Sequence, residues 1–217
     1  MSVKYILFDL DGTLLQTTAD LAGALNHMRQ TFDLPPLPEE KVAKLLGNGI
    51  RQLIAQSFHE NDDLEVTDEL LDRAVKINLD YYNDHIADLT TPYPGVIETL
   101  TEFKNRQIKM AVVTNKHAYA ARKILELTGM IGFFDVVMGD GENIPLKPQA
   151  DLLFEALKRM GGNAAEALMV GDNWTDLESA ANGSIASVFV TYGYGTAKQA
   201  KADHIIDNFA DLKALIS

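Results

Sequence analysis

Cysteine is absent from all 217 residues. Its absence excludes disulfides, thiolate nucleophiles and cysteine-bound zinc or iron–sulfur centres, so an oxygen-ligated metal is expected, if any. No apolar run in the chain approaches the roughly 20 residues that a membrane span needs. No signal-peptide pattern precedes the first apolar segment, so a cytoplasmic protein without a membrane partner is expected. Positive charge is scarce, with 19 Lys and Arg against 31 Asp and Glu and a net charge of −12. Such a field repels DNA, RNA and anionic lipid, so an anionic partner must be small and locally captured. Internal repeats, low-complexity tracts and charged tails are also missing. What remains is an ordinary globular composition, 47% hydrophobic and 23% charged. The length suits one core domain carrying a sizeable insertion.

Hydrophobic periodicity divides the chain. Residues 3–8 read as a short buried strand ending near Asp9, where Gly12 breaks the run. From about Ala19 to Ile86 apolar residues recur at helical spacing with no convincing strand. From Gly95 onward helix and strand alternate: helix to Arg106, strand Ile108–Val113, helix Ala118–Leu127, strand Asp135–Met138, helix Asp151–Met160, strand Leu168–Val170, helix Thr175–Asn182 and strand Ser187–Thr191. Such alternation predicts an α/β, Rossmann-like parallel sheet with helices on both faces, residues 1–16 supplying its first strand. Residues 1–16 and 90–217 are expected to form the core, and 17–89 an inserted all-helical cap, with hinges near 14–18 and 88–94.

The polar motifs of the expected sheet fall where its strands end, which is where open parallel sheets bind ligands. In FDLDGT, Asp9 and Asp11 would point in similar directions from one strand exit. Two acids so placed repel unless a cation lies between them or one holds a proton. With Mg²⁺ bound, one carboxylate can attack while the other moves a proton; alternatively, the pair only begins a turn and caps a helix. In VVTNK, Thr114 and Asn115 offer a hydroxyl and an amide before a helix, fit either for an anion or for an N-cap. Lys147 in IPLKPQAD could neutralise a transferring phosphoryl group or simply be solvated. In GDNWTD, Asp172 and Asp176 lie four residues apart, as hard Mg²⁺ ligands or as acids favoured by a helix's first turn. Trp174 between them reads as packing against the cap. The five histidines, His27, His59, His85, His117 and His204, show no metal-ligand spacing. Within the insertion, Gly47, Asn48 and Gly49 precede a helix with Arg51 in its first turn, either a ligand-approaching turn with a carboxylate- or phosphate-seeking arginine or an ordinary interhelical turn.

FDLDGT, VVTNK, the Lys147 loop and GDNWTD, in this order, resemble the four motifs of the haloacid dehalogenase superfamily of phosphohydrolases. The GNG turn and YPGV at residues 93–96 resemble its phosphoglycolate phosphatase-like branch. The resemblance implies Asp9 as a nucleophile that becomes an aspartyl-phosphate, and Asp11 as general acid and then base. It implies Thr114 and Asn115 as holders of the phosphoryl oxygens, and Lys147 as the stabiliser of charge. Mg²⁺ would lie on Asp172, the Asp9 carboxylate and the Asp11 backbone carbonyl, with Asp176 orienting Lys147 or a metal-bound water. Gln149, Ala150, His117 and Asn182 depart from common family patterns without removing a catalytic side chain. The implied activity is Mg²⁺-dependent hydrolysis of a small phosphorylated metabolite, with 2-phosphoglycolate leading, by a monomer or homodimer. The Gly47–Gly49 turn and Arg51 are expected at the substrate's non-phosphate end. The rivals are a β-phosphoglucomutase-like phosphomutase, which Thr13 disfavours, and a catalytically silent phospho-ligand binding protein; a dehalogenase has no need of Asp11 or a metal.

Overall fold

In chain order the elements of the computed structural model are β1 (Tyr5–Phe8), β2 (Leu15–Gln16), α1 (Thr18–Gln30), α2 (Glu39–Leu45), α3 (Ile50–His59), α4 (Asp68–Asp84), β3 (Thr91–Pro92), α5 (Val96–Asn105), β4 (Lys109–His117), α6 (Ala118–Leu127), β5 (Val136–Asp140), α7 (Asp151–Met160), β6 (Ala167–Gly171), α8 (Trp174–Asn182), β7 (Ala186–Val190), β8 (His204–Ile206) and α9 (Leu212–Leu215). The structure describes residues 3–47, 49–59 and 66–216. The chain separates into two compact units, residues 1–16 with 91–217, and residues 17–90.

The first unit is an α/β sheet of six strands in the order β5-β4-β1-β6-β7-β8, every neighbouring pair parallel. From β1 the chain steps outward through β4 to β5, then returns across β1 to β6 and continues to β7 and β8. The direction of winding therefore reverses at β1, and its carboxyl end is where a ligand crevice forms in such sheets. Strand residues are apolar on both sides because helices cover both faces. Leu7, Ala111, Val113 and Met169 pack with Leu153, Ala156 and Leu157 of α7 and Ala180 of α8. Phe8, on the other face, meets Phe209 at 5.7 Å and Phe134 at 6.3 Å between ring centroids. Truncating a fully buried residue such as Leu7 to Ala would cost about 2–5 kcal/mol. β2 and β3 pair antiparallel, Leu15 with Pro92 and Gln16 with Thr91.

The second unit is helical. Ala22, Leu25 and Met28 of α1 form one stripe and pack with Val42, Leu53, Ile54, Phe58, Leu71 and Ala74. The Thr67 hydroxyl caps α4 by accepting from Leu70 N at 3.2 Å. Asn26 fastens the loop before α2, its Nδ2 donating to Leu37 O (2.9 Å) and its Oδ1 accepting from Leu37 N (2.8 Å). Asp20 accepts from Leu89 N and Thr90 Oγ1, the latter at 2.7 Å, and so ties the end of the unit to its first helix.

Several boundaries differ from the periodicity reading. β4 continues four residues past Val113 to His117, through an irregularity in its register with β5. The cap of α6 is accordingly His117, whose Nδ1 accepts from Tyr119 N at 3.3 Å, and not Thr114 or Asn115. β8 and the two-residue pairing of β2 with β3 were not expected, because they are too short or too exposed to carry a period. No helix among the described residues is long and apolar enough to cross a membrane.

Candidate active site

Four strand exits of the sheet unit supply the site. Asp9 follows β1, and Asp172 and Asp176 flank the turn from β6 into α8. Lys147 comes from the loop between β5 and α7, and Thr114, Asn115 and Lys116 from the end of β4.

Lys147 is the centre. Its ammonium lies 2.6 Å from Asp176 Oδ1 and 2.9 Å from Asp9 Oδ1, with only 1% of its side chain exposed. The approach to Asp9 is an ion contact outside hydrogen-bond angles, which leaves Asp9 Oδ1 buried without a hydrogen-bond partner. Burial works against the ammonium, but Asp176 and Asp9 outweigh it and hold Lys147 above its ordinary pKa. Asp176 is itself fixed by the first turn of α8: its Oδ2 accepts from Asn173 N at 3.0 Å in a capping box.

Asp172 completes an acidic group. One oxygen from each of Asp9, Asp172 and Asp176 lies within 4.8 Å of the others. Asp172 Oδ2 accepts from Gly195 N at 2.7 Å and Oδ1 from Thr13 Oγ1 at 3.2 Å. Gly12, at φ +83°, leaves no room for a side chain beside the Asp172 carboxylate. Burial pushes the Asp172 carboxyl well above the ordinary range, and the charges of Asp9 and Asp176 add to it. Burial likewise raises Asp176 against the pull of Lys147. Three mutually repelling, all-oxygen donors in a buried place fit a hard divalent cation such as Mg²⁺, which would relieve the cost of ionising them.

Asp11 is elsewhere than the acid trio. Its carboxylate accepts from Lys116 Nζ at 3.0 and 2.8 Å, so any part it takes in metal binding would fall to its backbone carbonyl. Periodicity alone ends this strand at Val113 and hides Lys116; carried to His117, a period of two places Lys116 beside Thr114. Thr114 is buried and its Oγ1 accepts from Lys116 N at 3.2 Å, leaving its hydroxyl hydrogen to donate. The Asn115 side chain is turned to the Lys147 backbone: Nδ2 donates to Lys147 O (2.9 Å) and Oδ1 accepts from Lys147 N (3.0 Å).

Two tyrosines were also missed. Tyr192 donates to Thr13 O at 2.8 Å and stacks obliquely on Tyr93, centroids 4.6 Å apart. Burial pushes Tyr93 up to about 12, helped by Asp172 and Asp11, and burial raises Tyr192 as well. Both phenols thus stay neutral beside the acids. The alternating glycines of Tyr192-Gly193-Tyr194-Gly195 are the sequence signal for this loop, since Gly193 and Gly195 both abut Asp172. Trp174 faces the Lys198 ammonium, 4.2 Å from its ring centroid.

In the helical unit Gly47 and Gly49 take φ +106° and +84°. Asn48 lies outside the described residues. The Arg51 guanidinium holds Asp72 and Asp68 of α4.

The sequence model of the haloacid dehalogenase-like hydrolases matches residues 6–190. The chain is 34% identical over 215 residues to the phosphoglycolate phosphatase of Chromobacterium violaceum, covering 99% of this chain and 96% of that protein. It is 35% identical over 218 residues to that of Caulobacter vibrioides, covering 98% and 90%. The solved structure of a predicted phosphoglycolate phosphatase from Haemophilus somnus matches it with a TM-score of 0.93 at 30% identity, over 99% of this chain and 98% of that one.

Proposed function

The chain belongs to the haloacid dehalogenase-like hydrolases, and from that premise we propose that it is a Mg²⁺-dependent phosphomonoesterase acting through an aspartyl-phosphate, with 2-phosphoglycolate as its substrate. The observation that carries this reading is the buried Lys147 ammonium held between Asp9 and Asp176 beside a third acid. A carboxylate that must attack phosphorus needs a fixed cation to offset the charge of the transferring group, and this arrangement supplies one.

In the proposed sequence a carboxylate oxygen of Asp9 attacks the phosphorus in line as the ester P–O bond breaks, and Asp11, which enters the cycle protonated, gives the leaving alkoxide its proton. Water then attacks the aspartyl-phosphate, Asp11 takes a proton from that water, and phosphate and free Asp9 are regenerated. The Thr114 hydroxyl and the Lys147 ammonium bind the phosphoryl oxygens. Asp9, Asp172 and the Asp11 backbone carbonyl would hold Mg²⁺, with Asp176 orienting Lys147; the ion supplies charge neutralisation and substrate orientation. Residues 17–89 are assigned as an inserted helical cap. The kinship with the phosphoglycolate phosphatases named above, at 34% and 35% identity, supports 2-phosphoglycolate over a sugar phosphate.

The test is a panel of phosphate monoesters assayed with and without Mg²⁺. Turnover of 2-phosphoglycolate above other esters is expected, and Asp9→Asn should lower it by about 10⁴-fold or more. Absence of turnover on the whole panel would overturn the function, and an active Asp9→Asn variant would overturn the nucleophile.

A further inference from the structure

We propose that Asn115 is a positioning residue that sets the Lys147 ammonium between Asp9 and Asp176, and that its side chain is not a ligand of the phosphoryl group; the kinetic part of this inference rests on the phosphatase reading above. The Asn115 amide spans both backbone polar groups of Lys147, donating to its carbonyl at 2.9 Å and accepting from its N–H at 3.0 Å. Two bonds along one edge of a planar amide fix its plane, so it imitates a rung of a β-ladder where the Lys147 loop has no strand of its own. The next residue is fastened from another side: Asn182 of α8 donates to Pro148 O at 2.9 Å. β4 and α8, the helix that carries Asp176, thus grip the loop at successive residues.

The need for such a grip follows from the Lys147 side chain. A lysine ends in a point charge on a flexible four-carbon stem, yet here the ammonium must meet two carboxylates at once while nearly fully buried. Its aim is set by where the backbone starts, and a shift of about 1 Å at a reacting group can cost about a hundredfold in rate. Asn26 clamps Leu37 in the same manner within the helical unit, so the device serves generally to hold a loop residue. Of these two clamps, the one at Asn115 holds a residue that carries a charge into the acid cluster.

The test is a double-mutant cycle on the full chain with 2-phosphoglycolate and p-nitrophenyl phosphate as probes. Asn115→Ala is expected to lower kcat by about a hundredfold while KM moves less than about threefold. Asn115→Asp, of the same shape, keeps an acceptor for Lys147 N–H but faces Lys147 O without a donor, and its kcat is expected to fall between those of the parent and Asn115→Ala. Because Asn115 acts through Lys147, adding Asn115→Ala to a Lys147→Ala variant should change kcat less than about twofold. An undiminished loss in the Lys147→Ala background, or an effect carried by KM, would overturn the proposal in favour of direct substrate contact. Amide hydrogen exchange at Lys147 gives a readout free of turnover, expected to speed up at least about tenfold in Asn115→Ala. Unchanged exchange refutes the clamp whatever the kinetics. Faster exchange in a chain that hydrolyses no phosphate ester would support the clamp and sink the phosphatase reading alone.

Discussion

Lys147 and Arg51 are built to one plan, a cation between two aspartates, in different units of the molecule. Lys147 meets Asp9 and Asp176 with side-chain exposures of 1%, 13% and 0%. Arg51 meets Asp68 and Asp72 with exposures of 49%, 91% and 70%. In water and salt the second trio is screened and holds its partners loosely. The first has lost its hydration, so each charge depends on the others, and removing one leaves a buried charge unanswered. A basic side chain between two aspartates therefore makes a tunable surface contact in one place and a fixed electrostatic frame in the other. Glu142 lies between these extremes, a 16%-exposed carboxylate between Arg122 and Arg159.

Breaking the trios should rank them. Lys147→Met is expected to destabilise the fold by about 3–5 kcal/mol, read by denaturant titration; a loss as small as that of a surface pair would erase the distinction drawn between them. Mg²⁺ at a hundred times its Kd should raise stability by about 2.7 kcal/mol, an increment that a chelator reverses and Asp172→Asn abolishes; calorimetric melting with no Mg²⁺ response would show that Asp9 and Asp172 do not hold the ion. Glu142→Gln should cost less than about 1 kcal/mol at neutral pH. Hydrogen bonding from Arg122, with Arg159 adding, holds Glu142 below its ordinary value of 4.5. Its contribution is thus present above that value and lost as pH falls through the lower folded one. A Glu142→Gln penalty that grew toward acid pH would contradict this. The smallest effect is expected from Arg51→Ala, whose melting temperature and kcat should match the parent; a kcat loss above about tenfold, or 1.4 kcal/mol, would mean that the exposed trio takes part in the reaction.

Legibility in the sequence followed the same divide between burial and exposure. α6 and α7 occupy the spans their periodicity indicated, Ala118–Leu127 and Asp151–Met160, because each sets one apolar stripe against the sheet. β8 has two exposed residues out of three, His204 and Ile205, and carries no such stripe. At the site, the acids stood out because like charges near strand ends conflict unless they have a purpose. The residues that answer those acids were harder to see. Thr13 and Gly195 hold Asp172 across long sequence separations, a proximity that no local period encodes. Lys116 was hidden by the irregular end of β4, and the true partner of Asn115 by a loop whose path only tertiary contact determines.

The antiparallel pairing of Leu15–Gln16 with Thr91–Pro92 places the exit and re-entry of the intervening helices on adjoining threads. A tether closed at its own base makes little demand on what it encloses, because the entropy of closure grows only with the logarithm of contour length. The inserted segment between those threads can accordingly lengthen, shrink or be exchanged as a cassette while the sheet strands keep their register.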